Sequence, residues 1–319
     1  MAKRDNNHQL RISKSAVVAL AVVMVAIYVF LPQIKDLKAS ASLARQADIG
    51  WLILAIALVL ATYFFATLSY QLLARHRLEA GRTLLIQVSS ACANRLLPAG
   101  LGGLSLNTAY LYNNKHSLAE ASTVAASNNI LGIIGHLLVL GTALFFLPTS
   151  LHLTNSFHIS RGIYISLIVV IVGLVATVFM LPKIRHWLEN FSWQVIRDIG
   201  AYWYHPLKLI AALLSSICLT LGYVLALLVC VLAFGVHLDF THVLIIFTLG
   251  SVVGIATPTP GGLIGVEAGL IAGFVAFGVS SPKALAIVLT YRFISYWLPI
   301  LPGFVALVFV RRKHFIVGT

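Results

Sequence analysis

The chain has 319 residues, 60% of them hydrophobic and only 10% charged, with a mean hydropathy of +0.95. A soluble domain carries about 25% charged residues, so this chain lacks the polar surface to cover a water-facing globule and reads as an integral membrane protein. Its 22 Lys and Arg against 9 Asp and Glu, a formal charge of +13, cluster between apolar runs, which points to topology and anionic lipid headgroups and away from nucleic acid.

The apolar runs are long, which predicts a helical bundle rather than a barrel of alternating ten-residue strands. Lys3, Arg4, Arg11 and Lys14 precede the first run, which is expected to stay as an uncleaved helix although Ala39-Ser40-Ala41 resembles a cleavage site. Spans are predicted at about 15–32, 49–73, 120–147, 161–181, 207–234 and 285–310. Two further apolar regions, about 83–112 and 243–279, are broken by Pro and Gly near their centres. Between the fourth and fifth spans, Ile184, Trp187, Leu188, Phe191, Val195 and Ile199 recur at helical spacing, followed by Tyr202, Trp203 and Tyr204. That predicts an interfacial helix over about 183–204. The whole chain is expected to form one transmembrane domain.

Aligned on Pro98 and Pro260, both breaks spell Pro-x-Gly-Leu-x-Gly, pairing Gly100 with Gly262, Leu101 with Leu263 and Gly103 with Gly265. Pro removes a helix donor and Gly admits left-handed backbone, so neither region is expected to run through as one straight helix. Irregular backbone at membrane depth is tolerated where it lines a cavity, and paired interrupted segments point to a transporter's binding site. Ordinary kinked helices or unrelated loops are the alternative.

If each broken region is a re-entrant hairpin, six spans place the basic N-terminus, the 75–82 loop, the 182–208 segment and Arg311, Arg312 and Lys313 in the cytoplasm. The two hairpins then enter from opposite sides, giving two inverted halves. Lys35, Lys38 and Arg45 fall outside and do not fit that pattern.

Ionisable groups within the bilayer are costly and therefore functional candidates. Arg95 precedes the first break, Glu267 follows the second and Arg292 lies in the last span, with His136 a weaker fourth. Glu267 can pair with either arginine to lock the bundle. Alternatively the arginines attract a phosphate while Glu267 attracts a cationic headgroup or exchanges a proton. Helices starting after Gly103 or Gly265 would aim free N–H groups at the breaks. Asn94, Ser105, Asn107, Thr257 and Thr259 add neutral polar groups there, and Asn128 and Asn129 stand at the start of the third span. Hydrogen bonds to broken backbone or neighbouring helices are the plainer use for them.

Cys92, Cys218 and Cys230 form no CxxC pair, and the eleven histidines include no pair at ligand spacing within a span, so neither disulfides, a metal nor another cofactor is expected. GxSxG, HExxH and Walker-type motifs are missing, and with one acid well inside a span a two-carboxylate mechanism is implausible. The chain is not expected to be an enzyme.

The stretch Thr257-Pro-Thr-Pro-Gly-Gly-Leu-Ile-Gly-Val-Glu-Ala-Gly-Leu, followed by Tyr291-Arg292-Phe293, Pro299 and Gly303, resembles the second signature of the lysylphosphatidylglycerol synthase/flippase transmembrane family. Asn94-Arg95-Leu-Leu-Pro98-Ala-Gly100-Leu-Gly-Gly103 is similar to the first, which departs at Gly103-Leu104-Ser105 where members often carry a polar or basic residue. The resemblance implies a module that moves lipids between leaflets. The 319 residues hold no counterpart of the fused aminoacyl transferase, so the synthase activity is not carried over.

The expected protein is an all-α polytopic bundle with two inverted halves, each with a Pro/Gly-broken re-entrant hairpin, in a bacterial-type inner membrane with both termini cytoplasmic. Its expected function is translocation of a phospholipid or related amphiphile, passive or ion-coupled, with anionic or aminoacylated phospholipid or glycolipid as partner. Arg95, Glu267 and Arg292, with Asn94, Pro98, Gly100, Gly103, Asn107, Pro260, Gly262 and Gly265, form the expected substrate site. A transporter of small polar solutes and a scaffold for a lipid- or glycan-modifying enzyme are the rivals.

Overall fold

The computed structural model describes residues 42–96, 101–145, 150–153, 157–160, 206–257 and 259–312. The expected spans at 15–32 and 161–181, the interfacial helix at 183–204, and Pro98 and Gly100 lie outside the described residues. The described elements are α1 (Ile49–Leu73), α2 (Ala80–Leu96), α3 (Leu101–Asn113), α4 (Leu118–Phe145), β1 (Ser150–Leu153), β2 (Phe157–Ser160), α5 (Pro206–Ala233), α6 (Phe240–Ala256), a 3-10 turn (Pro260–Gly262), α7 (Gly265–Ala276), α8 (Ser281–Arg292), a π-helical turn (Phe293–Trp297) and α9 (Ile300–Arg312).

Local chemistry sets the helix starts. Asp48 accepts the Gly50 N–H at 2.7 Å to cap α1. At α4, the Ser117 N–H donates to Glu120 Oε2 at 2.9 Å and the Glu120 N–H to Ser117 Oγ at 3.2 Å, a reciprocal capping box. Pro206 opens α5, where its missing N–H costs nothing. The helices α1, α4 and α5 have 25, 28 and 28 residues, enough at about 1.5 Å per residue to cross a hydrocarbon core of roughly 30 Å. The stretch Ser281–Arg312 is the fourth segment long and apolar enough to cross.

The last stretch is not one regular helix. The Leu298 N–H reaches back five residues to the Phe293 carbonyl at 2.8 Å. Pro299 and Pro302 follow, so the carbonyls of Ser295 and Leu298 have no N–H donor four residues on. The 148–160 region, read from sequence as a loop, contains the antiparallel pair β1–β2, with Ser150 opposite Ser160 and Leu153 opposite Phe157. Four-residue strands hold too few alternations to stand out in a sequence.

The broken regions are antiparallel helical hairpins. In the first, α2–α3, Thr83 meets Tyr110, Gln87 meets Asn107 and Asn94 meets Gly103. In the second, α6–α7, a Cβ on Gly269 would stand 2.8 Å from the Gly250 Cα, one on Gly254 2.3 Å from Val266 Cγ2, and one on Gly273 3.1 Å from Ile246 Cγ2. Only bare backbone permits that approach, the small-residue packing used between membrane helices. The arms have 17 and 13 residues in the first hairpin and 17 and 12 in the second. At about 18–26 Å each, none is long enough to cross the core alone.

Two apolar clusters mark opposite ends of the bundle. One joins the end of α1, the start of α2, the end of α3, the start of α4, the start of α5 and Val310 of α9. The other joins the start of α1, the end of α5, α6, α7 and α8. The first hairpin therefore opens toward one end and the second toward the other, with their tips inside. Around them Ile53, Leu60, Phe64, Ile133, Leu137, Leu214, Phe304 and Val305 leave large apolar side chains on the outer surface, the surface a lipid solvent favours.

Candidate functional site

The tips meet at the π-helical turn. Pro299 leaves the Ser295 carbonyl without its helical donor, and Arg95 Nη2 donates to it at 2.6 Å. Arg95 Nη1 donates to the Ala91 carbonyl at 2.7 Å. In the last turn of α2 the Arg95 carbonyl accepts from the Tyr296 hydroxyl at 3.0 Å. The first hairpin is thus fastened to the turn by hydrogen bonds in both directions.

The second hairpin is fastened by charge. Arg292 Nε donates to Glu267 Oε1 at 2.5 Å, with the two side chains 10% and 7% exposed. Glu267 Oε2 accepts the Ile264 N–H at 2.5 Å, closing the N-terminus of α7. Both carboxylate oxygens are therefore engaged. Arg292 Nη2 also donates to the Gly261 carbonyl at 3.3 Å. The break itself carries three left-handed residues, Gly261 (φ 63°), Gly262 (φ 65°) and Ile264 (φ 76°). For β-branched Ile264 that backbone is strained, and the Glu267 bond to its N–H holds it there.

Tyr296 stands between the tips. The Arg292 guanidinium lies 4.5 Å and the Arg95 guanidinium 5.6 Å from its ring centroid, within cation–π range. Gly261 packs on the same ring, where a Cβ would fall 2.2 Å from Tyr296 Cε2. Beside this junction opens a cavity of about 290 Å³, lined in part by Asn94 and Arg95 from the first hairpin, Gly261 and Val266 from the second, and Arg292 and Tyr296 from the last stretch.

The sequence-predicted residues divide into three groups. Asn94, Arg95 and Arg292 line the cavity, and Glu267 stands behind Arg292 as its counter-ion. Gly103, Pro260, Gly262 and Gly265 shape the tips. The Gly103 N–H donates to Asn94 Oδ1 at 2.5 Å, and a Cβ on Gly265 would lie 2.1 Å from Thr257 Oγ1. Asn107 stands by itself as the third. It is buried within the first hairpin, accepting from Gln87 Nε2 at 2.7 Å and donating to Ser90 Oγ at 3.0 Å and the Gly103 carbonyl at 2.8 Å.

Thr257 and Thr259 donate to the Val253 and Leu263 carbonyls, and Asn128 accepts from Ser69, the plainer use expected of such groups. The helix after the first break begins at Leu101, ahead of Gly103. Tyr63, Tyr223, Ser295 and Tyr296 are the residues that sequence reasoning missed. Tyr296 follows Arg292 by four residues and precedes Pro299 by three, a spacing that would have put its ring beside the arginine and a free carbonyl next to both.

Among known proteins, a profile described as the lysylphosphatidylglycerol synthase TM region matches residues 16–303. A UPF0104 membrane protein of Methanothermobacter thermautotrophicus is 43% identical over 67 residues, which are 21% of this chain and 20% of that relative.

Proposed function

The chain belongs to the lysylphosphatidylglycerol synthase TM-region family, and on that footing we propose that it moves a phospholipid or related amphiphile between membrane leaflets, passively or coupled to an ion. The observation that carries this reading is the cavity between two hairpin tips, lined by two guanidiniums of which one is paired with the Glu267 carboxylate behind it. Arg292 is neutralised by Glu267, whereas Arg95 has no carboxylate partner among the described residues. A partly buried cation with no carboxylate partner among the described residues, at the junction of two short hairpins, favours an anionic guest. The activity proposed is transport rather than catalysis.

Charge distribution supports an orientation in a bacterial-type inner membrane. Arg75, Arg77, Arg82, Lys115, Lys208, Arg311 and Arg312 gather at the end where the first hairpin opens, against Glu79 and Glu120. The opposite end carries Arg45 and Lys283 against Asp48 and Asp239. By the positive-inside rule the first end faces the cytoplasm.

The test is leaflet exchange of fluorescent phosphatidylglycerol in proteoliposomes, wild type beside Arg95→Gln, with thermal unfolding to confirm the variant's fold. Exchange above empty liposomes that falls at least about tenfold in the variant is expected, as for loss of a hydrogen-bonded charge. Wild-type exchange no faster than in empty liposomes overturns the reading.

A further inference from the structure

His116 stands in the turn between α3 and α4, at the root of the first hairpin, and is 3% exposed. Its Nε2 accepts the His76 backbone N–H at 3.3 Å, and its Nδ1 lies 2.9 Å from the Asn114 carbonyl oxygen and 3.1 Å from that of Leu111. A backbone N–H only donates and a carbonyl only accepts, so these partners fix the ring: Nδ1 carries the proton and Nε2 the lone pair. That is the neutral imidazole, satisfied on both nitrogens. Its bonds cross from the α3–α4 turn to the α1–α2 connection, the two segments between which the first hairpin hangs. A second crossing joins them at the surface, Arg75 Nη1 to Glu120 Oε1 at 2.7 Å.

A second proton on this ring has no acceptor. It would turn Nε2 into a donor facing the His76 N–H and break the bond between the two segments. The His76 ring stands edge-on at 4.9 Å, Arg75 precedes it, and Lys115 adjoins His116 in the turn with φ 64°. Arg77, Glu79 and Arg82 near the start of α2, Lys208 of α5 and Arg311 and Arg312 of α9 complete the charges at this end. Glu120 of α4 is the acid that acts on the ring, but its Oε1 holds Arg75 and its Oε2 accepts the Ser117 N–H. Burial, helped by His76, therefore pushes the His116 pKa below the ordinary histidine value, against the opposite pull of the Asn114 and Leu111 carbonyls and Glu120. We propose that His116 is a pH-sensitive clasp: neutral, it fastens the root of the first hairpin, and protonated, it lets the two connections part. The clasp acts on the hairpin that carries Arg95, whatever the cavity takes.

The direction follows from linkage. Once the connections part, the ring returns to its ordinary pKa near about 6.5 and takes up a proton that the closed form refuses. The clasp is therefore at full strength above that pH and weakens as pH falls below it. Hydrogen exchange of the full chain in detergent micelles reads this directly, by mass spectrometry at about pH 7.5 and about pH 5.5, corrected for the intrinsic pH dependence of exchange. Protection in peptides covering 74–79 and 111–117 is expected to fall about tenfold between the two, the limit for one histidine of ordinary pKa when open. Peptides from 240–256 in the second hairpin are expected to hold their protection.

Two variants assign the response. His116→Gln offers the His76 N–H an amide oxygen that does not titrate, so its pH response is expected to shrink below about twofold. His76→Gln keeps the backbone N–H and is expected to retain the wild-type response. An undiminished response in His116→Gln, or a response lost in His76→Gln, overturns the assignment. Equal protection of the wild type at both pH values, or loosening spread evenly into 240–256, overturns the clasp even if His116→Gln fails to fold. No lipid substrate enters the measurement, so its failure leaves the translocation reading where it stood.

Discussion

The two hairpins share a tip motif and an outline but are held together by different forces. The first is a polar ladder, with Thr83 on Tyr110, Gln87 on Asn107, Asn107 on Ser90 and Asn94 on the Gly103 N–H. The second is a glycine seam, with Gly250 and Gly254 of α6 against Gly265, Gly269 and Gly273 of α7, closed by one ion pair. Each device answers the same problem, since apolar lipid gives no hydrophobic push between helices. Directional hydrogen bonds answer it on one side, and close van der Waals contact on the other. The difference also distributes the charge. The ion pair belongs to the glycine seam, and the guanidinium with no carboxylate partner among the described residues stands at the tip of the polar ladder.

That contrast can be broken from either side. Glu267→Gln is expected to have the largest effect, because it strands Arg292 as a buried charge and releases the strained Ile264 N–H. Removing one member of a buried pair costs about 3–5 kcal/mol, read as lost stability in thermal or denaturant unfolding of the purified protein. A smaller loss would mean that Arg292 finds another partner in the cavity.

Gly269→Ala attacks the seam next. Its Cβ would meet backbone, the Gly250 Cα at 2.8 Å and the Leu249 carbonyl oxygen at 3.0 Å, so the helices must part. Overpacking of this kind costs about 1–3 kcal/mol, measured in the same assay.

Asn107→Leu is expected to cost the first hairpin about 1–2 kcal/mol, since it deletes three hydrogen bonds and leaves the Gln87 amide unsatisfied. Because Asn107 does not line the cavity, lipid affinity should change less than about twofold once folding is matched, a change well below that of one lost hydrogen bond. A larger drop would return Asn107 to the substrate path.

Much of this protein is local and therefore visible in one dimension. Hydropathy and length mark the helices at Ile49–Leu73 and Pro206–Ala233, since crossing a bilayer is decided residue by residue. The repeated Pro-x-Gly-Leu-x-Gly marks the break in both hairpins, because Pro lacks an N–H and Gly admits left-handed backbone, as Gly262 shows in the second. Charge at depth singles out Arg95, Glu267 and Arg292. Which arginine takes the carboxylate is another matter: it depends on which ends meet, and the two are 172 and 25 residues from Glu267 along the chain. The fold gives Glu267 to Arg292 and leaves Arg95 to the Ser295 carbonyl that Pro299 had freed. It also draws Asn107 into the hairpin interior and brings Tyr63 and Tyr296, neither of which stands out in the sequence, to the guanidiniums. Tertiary structure decides these matters because a polar group in an apolar bundle is governed by the nearest partner, and distance along the chain says nothing about which partner that is.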